Sequence, residues 1–205
     1  RKTTSFNTSW SEVVNVTGCR RYSRYSGYLD EYRCEGPWPS DTIATILTLD
    51  ACTHEHFSKA KLLRDVCKAY TSFKALVAAA RSDHKAPVVS TGRWGCGVFR
   101  GVPTHKFLQQ VLAASLAGVT LRFSTFGQAD GCDTLLESVR RTSMRAHEAW
   151  KLLCSCDSEE AFESKVGLLN ATRPAAADDG SYKHGWTEHS SRWPDSAEPY
   201  RLNGC

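Results

Sequence analysis

Four glycines fall within the eleven residues from Thr91 to Gly101, between a β-branched run and a segment with helical periodicity. Glycine permits positive φ angles and close approach of the backbone to other groups. A helix that follows such a loop presents free amide donors to an anion. The pattern predicts a strand, a loop and a helix in that order. The loop is either a tight structural turn or a phosphate-binding segment.

The segments around this loop predict a βαβ unit. Residues 88–92 form a β-branched run, the apolar residues of 104–117 recur at three- and four-residue intervals, and 121–126 form a second strand-like run. We expect Thr104 to cap the helix and Gly118 to end it. Strands connected through a helix in this way pair in parallel.

The first half of the chain predicts further strands and a long helix. Residues 13–18 form a short strand and 28–33 an extended stretch. The near-continuous apolar run at 42–49 predicts a central strand that is covered on both faces. Between 57 and 80 the apolar spacing predicts a helix with one buried face, broken near Ser72.

The chain divides into a basic extended arm at 1–12, one α/β domain at 13–169 and a polar tail at 170–205. Its 205 residues and 41% hydrophobic content suit a single domain with its own core. Two further helices are predicted at 134–141 and 143–153. No stretch approaches the roughly 18 consecutive apolar residues of a membrane span.

The charge of the chain bears on whether it binds nucleic acid, and its cysteine content bears on the cellular compartment. The net charge of +4 comes from 26 basic and 22 acidic residues that are dispersed, so direct nucleic-acid binding is not expected. Nine cysteines, an odd number, predict buried thiols in an intracellular reducing compartment (nucleus, cytoplasm or mitochondrion) rather than secretion. The runs at 53–56 and 154–156 lack the paired short spacings of a zinc site, so neither a metal nor a cofactor is expected.

Three blocks of this sequence resemble the poly(ADP-ribose) glycohydrolase family. Members carry a Thr-Gly-Asn-Trp-Gly-Cys-Gly-Ala-Phe-Gly-Gly run, a helix with a lysine, and a strand ending in Thr-Phe-Gly. The matching positions here are Thr91, Gly92, Trp94, Gly95, Cys96, Gly97, Phe99, Gly101, Lys106, Gln110, Thr125, Phe126 and Gly127. The second block, 22–28, resembles the family's Tyr-Ser-Glu-Tyr-Thr-Gly-Tyr stretch. The third is Leu49-Asp50-Ala51, followed by Lys68-Ala69-Tyr70.

The resemblance covers roughly residues 13–155. It implies an α/β fold, a macrodomain-like three-layer α/β/α sandwich with a mixed sheet, incomplete at its N-terminal side. ADP-ribose or poly(ADP-ribose) would lie in a crevice at the strand ends, where open α/β sheets place ligands. Carried over by position, the implied ligand-binding residues are Tyr28 at the adenosine, Gly95, Gly97, Val98 and Phe99 at the diphosphate, and Phe126 near the ribose.

This sequence also departs from the family pattern within the loop. Arg93 stands where the family has asparagine, Arg100 where it has glycine, and Val102 where it has an acidic residue. The arginine at position 100 is large and charged where the family backbone is bare. It either reaches a phosphate oxygen or blocks the entry of the diphosphate.

Cleavage in the family depends on a Gly-Gly-Gly run followed by Gln-Glu-Glu, upstream of the Tyr-Ser block. One carboxyl group donates a proton to the leaving oxygen. A carboxylate stabilises the oxocarbenium-like centre and orients the attacking water. This chain has no triple glycine, and Glu12 is the only acidic residue before Tyr22. The Glu159-Glu160 pair is typical of a first helical turn. No catalytic residue is therefore predicted in this chain, and because it starts at Arg1 we expect sequence upstream of it.

Two functional hypotheses follow. The chain is either part of a family hydrolase whose catalytic loop lies outside the 205 residues, or a catalytically inactive descendant that serves as a binding or structural subunit of a larger assembly. In both cases the absent strands would leave unpaired sheet edges. We expect the missing upstream segment or another protein subunit to complete the sheet.

Overall fold

The computed structural model describes residues 12–27, 29–39, 41, 43–80 and 86–171. Tyr28 lies outside these ranges, as do most of the predicted arm and tail, so the boundaries at 1–12 and 170–205 stay predictions. In chain order the elements are β1 Val14–Arg20, β2 Ser23–Ser26, a 3-10 turn Leu29–Glu31, β3 Arg33–Pro37, β4 Ile43–Thr48, α1 Lys59–Ala79, β5 Val88–Thr91, α2 Pro103–Ala117, β6 Thr120–Phe123, α3 Cys132–Arg141, α4 Ala146–Cys154 and α5 Glu159–Ala171.

The strands of the described ranges form three pairs of mixed direction. β1 pairs antiparallel with β4, β2 and β3 form an antiparallel hairpin, and β5 pairs parallel with β6. The parallel pair is joined through α2, so the predicted βαβ unit is confirmed. The predicted α/β class with mixed strand directions is confirmed as well.

The core lies among the helices. Helix α1 packs along α2, and both bury apolar side chains in one cluster that continues into α3, α4 and α5. Helix α2 is buried almost all round, including polar residues in its first two turns. It ends at Gly118, whose left-handed φ of 78° lets its amide reach the carbonyl of Ala114, as the sequence predicted. Within the described ranges, no helix is long and apolar enough to cross a membrane.

Strand β4 differs from the prediction of a strand covered on both faces. Ile43 is 64% exposed and Ile46 52% exposed. The strand pairs with β1 along one edge, and along its other edge no strand lies within the described residues. An apolar run predicts which faces a strand buries in a complete sheet. The β1–β4 pair is not a complete sheet, so these faces stay exposed.

A cavity of about 620 Å³ separates β4 from β5. Its lining comes from both strands, from α1 residues such as Phe73, and from Trp94 and Gln110. Strand β5 pairs with β6 on its far edge, so in the described part of the chain its near edge, like that of β4, carries unpaired backbone groups. The sheet is thus interrupted between β4 and β5.

Several local predictions were wrong for identifiable reasons. The extended stretch at 28–33 contains a 3-10 turn. Helix α1 is unbroken at Ser72, whose hydroxyl donates to Asn15 Oδ1 at 2.8 Å and attaches the helix to β1. The cap of α2 is Val102 rather than Thr104, because Pro103, which lacks an N–H, takes the first helical position. Strand β6 ends at Phe123, before the residues of the following turn.

Candidate functional site

The glycine-rich loop, residues 92–101, lies where three strands end. Strands β5 and β6 are parallel, so the loop after β5 and the segment after β6 emerge at the same edge. The indole N–H of Trp94 donates to the carbonyl of Leu49 at 3.0 Å, which brings the end of β4 to the same place. The candidate site is therefore at the carboxyl ends of the strands.

A tight turn at 97–100 forms the outer part of the loop. The amide of Arg100 donates to the carbonyl of Gly97 at 2.9 Å, and the amide of Gly101 donates to the carbonyl of Gly95 at 2.9 Å. The amides of residues 97, 98 and 99 have no acceptor in the part of the chain that the structure describes. These residues are exposed, and a Cβ at Gly97 would meet nothing within 4 Å. Three consecutive amides are thus available to an anion just before the N-terminus of α2.

The inner part of the loop is packed too closely for a side chain. A Cβ at Gly95, where φ is 77°, would lie 2.7 Å from Ala51 Cβ. A Cβ at Gly101 would lie 2.8 Å from the carbonyl oxygen of Gly95 and 2.9 Å from Lys106 Cε. Packing therefore accounts for both glycines, and the assignment of Gly95 to ligand binding stays a prediction.

Charged side chains are buried directly beneath the loop. Lys106 and Asp65 are fully buried and form an ion pair, and Lys106 Nζ lies 3.3 Å from Cys52 Sγ. Asp65 also accepts the amide of Cys52 at 3.0 Å. Lys68 and Asp50 form a second ion pair, with 2.6 Å between Lys68 Nζ and Asp50 Oδ1. Lys106 thus supports the loop from below, because its side chain lies against Gly95 and Gly101, while Asp50 and Lys68 pair with each other near the end of β4.

The cysteines near the loop are held in the thiol form. Burial raises the pKa of Cys52 to about 11, and the charge of Asp65 adds to the effect. Burial likewise raises the pKa of Cys96 to about 11. A nucleophilic cysteine requires a lowered pKa, so the geometry gives neither thiol that role.

His56 joins this buried layer to the outer turn. Its Nε2 lies 2.6 Å from the carbonyl oxygen of Phe99, and its Nδ1 lies 3.2 Å from Cys52 Sγ. Sequence reasoning weighed this histidine only as part of a zinc motif and missed its contact with the loop. Among the described residues, no group of three or more His, Cys, Asp and Glu side chains could hold a metal ion.

The segment after β6 forms the neighbouring wall. Phe126 is 76% exposed and has a left-handed φ of 54°. Its ring covers Gly92, where a Cβ would lie 3.1 Å from Phe126 Cε2. Arg93 connects the two segments, since its Nε donates to Asp130 at 2.9 Å and its guanidinium donates to Gln128. Arg93, the departure from the family asparagine, therefore fixes the loop against this wall.

The structure brings most of the predicted ligand-binding residues to one edge. Gly97, Val98 and Phe99 lie on the outer turn, with Val98 93% exposed, and Phe126 lies on the wall that follows the parallel neighbour strand. Val98 and Phe99 carry exposed side chains with no core role, in contrast to Gly95. Tyr28 lies outside the described residues, so its position at the adenosine stays a prediction.

Comparison with known proteins identifies the family of this chain. Residues 6–133 match the family described as "Poly (ADP-ribose) glycohydrolase (PARG), Macro domain fold". The chain is 28% identical over 194 residues to poly(ADP-ribose) glycohydrolase 2 of Caenorhabditis elegans, covering 79% of this chain and 39% of that protein. It is 29% identical over 156 residues to poly(ADP-ribose) glycohydrolase 1 of the same organism, covering 63% of this chain and 20% of that protein.

A plant relative gives the same result. The chain is 25% identical over 196 residues to the probable poly(ADP-ribose) glycohydrolase 2 of Arabidopsis thaliana, covering 73% of this chain and 38% of that protein. The chain thus spans less than half the length of these relatives. The family match, in contrast, covers more than half of the 205 residues. Together with the glycine-rich loop at the strand ends, this match means that the chain belongs to the poly(ADP-ribose) glycohydrolase family and has its macrodomain fold.

Proposed function

We propose that this chain is the ADP-ribose-binding part of a poly(ADP-ribose) glycohydrolase-type macrodomain. The observation that carries the proposal is the turn at 97–100, with three consecutive exposed amides that have no acceptor in the described part of the chain. A diphosphate needs such backbone donors, and the following helix N-terminus favours its negative charge. Phe126 offers an exposed aromatic face on the neighbouring wall, which suits the nucleoside side of the ligand.

The proposed ligand is ADP-ribose, free or as a unit of poly(ADP-ribose). The relatives in Caenorhabditis elegans are named as glycohydrolases of that polymer. Within this chain, Gly97, Val98 and Phe99 would bind the diphosphate and Phe126 would lie near the ribose. Tyr28 would pack on the adenosine, as the resemblance implies.

We propose further that the chain alone does not hydrolyse the polymer. Glycoside cleavage needs a carboxyl group that is protonated when it meets the leaving oxygen, which calls for a raised pKa. The adjacent pair Glu159-Glu160 does not offer this, because a backbone hydrogen bond and the hydroxyl of Ser158 lower the pKa of Glu160. The pair also begins α5 rather than following a strand.

The gap between β4 and β5 is the proposed entry point for the missing catalytic segment. Both strands present an edge without a partner among the described residues, and apolar side chains line the cavity of about 620 Å³ between them. Trp94, a residue of the glycine-rich loop, is among the residues that line this cavity. A strand inserted here would satisfy both edges, and the residues after it would emerge at the proposed ligand. That strand would come from an upstream segment or from another protein subunit.

The alternative is an inactive macrodomain remnant that acts as a structural or binding subunit. The observation that favours it is Arg100, an exposed arginine with a left-handed φ of 56° in the proposed diphosphate turn. A family glycine at this position would leave the turn bare. If Arg100 blocks the diphosphate, the fold would be retained for its protein contacts.

Calorimetric titration of ADP-ribose into the chain tests the binding proposal. We expect binding, and we expect Phe126→Ala to weaken it by about 1–3 kcal/mol, the scale for losing the burial of a phenylalanine side chain. Leu168→Ala, an exposed residue of α5, serves as the control and should bind like the parent chain. Equal affinity in Phe126→Ala and the parent would assign Phe126 to another role. Arg100→Gly decides between the hypotheses, because binding gained by this change would mean that the arginine blocks the turn.

A complementation assay tests the catalytic proposal. The chain is mixed with the segment of a family member that precedes the Tyr-Ser block and carries its Gln-Glu-Glu sequence. We expect release of ADP-ribose from the polymer only with both pieces, and none when both glutamates of the added segment are glutamine. Activity of the chain alone would refute the proposal. No activity in the mixture, with ADP-ribose still bound, would support the inactive subunit.

We also propose a reducing intracellular compartment. All eight cysteines in the described part of the chain are free thiols, and four of them are buried. Such thiols persist where glutathione keeps cysteines reduced. Localisation of the tagged full-length protein would test this, and recovery from a secretory compartment would contradict it.

A further inference from the structure

The outer turn of the glycine-rich loop is attached to the buried layer by a chain of side-chain contacts. Lys106 Nζ lies 3.3 Å from Cys52 Sγ, which lies 3.2 Å from His56 Nδ1, and His56 Nε2 lies 2.6 Å from the carbonyl oxygen of Phe99. Phe99 is one of the three residues whose amides have no acceptor in the described part of the chain. The carbonyl of Phe99 therefore accepts a hydrogen bond from His56, while its amide N–H remains available to a ligand.

The direction of each hydrogen bond follows from the chemistry of the groups. The carbonyl of Phe99 can only accept, so His56 Nε2 must carry a proton and donate it. In a neutral imidazole the other nitrogen, Nδ1, can then only accept, and the thiol of Cys52 is the donor that lies beside it. The ammonium of Lys106 donates to the same sulfur. The contact with Phe99 thus selects the tautomer of His56 that carries its proton on Nε2, and the thiol of Cys52 beside Nδ1 is compatible with that tautomer.

We propose that His56 is a positioning residue that fixes the turn at 97–100 in its anion-binding shape. The inference rests on the proposed ADP-ribose site. The anchor is rigid, because Lys106 and Cys52 are buried and the lysine is ion-paired with Asp65. The turn itself is exposed, and the only other hydrogen bonds that hold it among the described residues are the two backbone bonds that close it. His56 therefore holds the backbone of the turn in place before a diphosphate binds. The amides can then bind the diphosphate without a further loss of conformational entropy in the turn.

Nitrogen-15 NMR of the full chain at pH 7.5, with its complementing segment if folding requires it, tests the tautomer directly. We expect His56 to carry its proton on Nε2, with Nδ1 unprotonated. In Cys52→Ala, which removes the group beside Nδ1 but keeps the Phe99 carbonyl, we expect the proton to stay on Nε2. A proton on Nδ1 of the parent chain would overturn the inference.

Two substitutions separate positioning from packing. Glutamine at position 56 places an amide N–H near the site of Nε2, whereas asparagine places its polar group near the site of Nδ1 and cannot reach Phe99. We therefore compare His56→Gln and His56→Asn, with His54→Asn as a control, since His54 is exposed and contacts Thr53 instead. The readouts are hydrogen exchange of the Arg100 and Gly101 amides and affinity for ADP-ribose and for inorganic diphosphate.

In His56→Asn we expect exchange to be faster and both affinities lower, each by about threefold to tenfold, the scale of one net hydrogen bond. His56→Gln and His54→Asn should behave like the parent. Equal exchange rates in the glutamine and asparagine variants would overturn the inference. If even the parent binds neither ligand, the proposed function fails, while the tautomer and the exchange rates still decide the role of His56.

Discussion

Helices α1 to α5 form the helical side of the molecule, and the strand pairs β1–β4 and β5–β6 form its strand side. The two sides meet at the glycine-rich loop, and they differ in how many of their polar groups have hydrogen-bond partners. On the helical side, Lys106 and Asp65 are fully buried and hold each other, and α2 is packed nearly all round. On the strand side, β4 and β5 each have an edge without a partner among the described residues, with a cavity between them. The comparison teaches that the buried charged groups on one side of the site are paired within the described residues, whereas the other side has two strand edges without a partner among them.

The largest expected effect concerns the buried ion pair of the helical side. Lys106→Met leaves Asp65 buried with one charged partner fewer, so we expect urea unfolding to give a loss of about 3–5 kcal/mol. The control is Arg20→Ala, which breaks the exposed pair of Arg20 with Asp41 and should leave stability unchanged. A loss below about 1 kcal/mol in Lys106→Met would mean that the helical side does not depend on this pair.

The second prediction concerns the strand side. A segment that inserts between β4 and β5 stabilises the folded chain by mass action, by about 2.7 kcal/mol at a concentration one hundred times its Kd. We expect the isolated chain to be less stable than the complex, and amide exchange in β4 and β5 to slow when the segment is added. The exchange rates of the α2 amides serve as the control for the helical side. Protection throughout β4 in an isolated monomer would contradict the proposed gap.

The contrast can be sharpened within the loop itself. Gly95→Ala would place a Cβ 2.7 Å from Ala51 Cβ at a left-handed φ, so we expect a loss of about 1–3 kcal/mol. Gly97→Ala is the matched control, because a Cβ there meets nothing within 4 Å, and its stability should stay within about 0.5 kcal/mol of the parent. Equal losses in both variants would mean that the inner and outer parts of the loop are equally packed.

The smallest expected effect, counted per pH unit, is a pH dependence of stability on the helical side. Burial, aided by the charge of Lys106, lowers the pKa of His105 to about 3. The unfolded histidine binds its proton near pH 6.5 and the folded one only near pH 3, so stability is full above 6.5 and falls as the pH drops through this window. The contribution is at most about 1.4 kcal/mol per pH unit.

Comparison of unfolding curves between pH 7.5 and pH 4.5 isolates this contribution. His105 stacks on Phe57 at 4.3 Å, so His105→Leu removes the titration while keeping an apolar neighbour for that ring. The leucine variant should lose less stability on acidification than the parent chain. His54→Leu, at an exposed histidine, should keep the parent's slope. Identical slopes in all three proteins would contradict the assignment.

Local patterns in the sequence were enough for the βαβ unit and for the position of the loop. Periodicity alone identifies α1 and α2, and Gly118 ends α2 because only its left-handed conformation closes the last turn. The motif residues from Thr91 to Gly101 also identified the family. These features depend on neighbours within one element, so the sequence contains the whole signal. The exposure of β4 was not predicted, because an apolar run does not say whether its partner strand is present.

The contacts that shape the site were decided by the tertiary structure. His56 meets Phe99 across 43 positions, Lys106 meets Asp65 across 41, and Arg93 meets Asp130 across 37. No periodicity marks such pairs, because each depends on where α1, α2 and the segment after β6 pack against one another. The sequence by itself determined the elements, the glycine-rich loop and the family. The packing of those elements decided which glycines are structural, which amides face outward and which histidine holds them, because burial and hydrogen-bond partners exist only after distant segments have met.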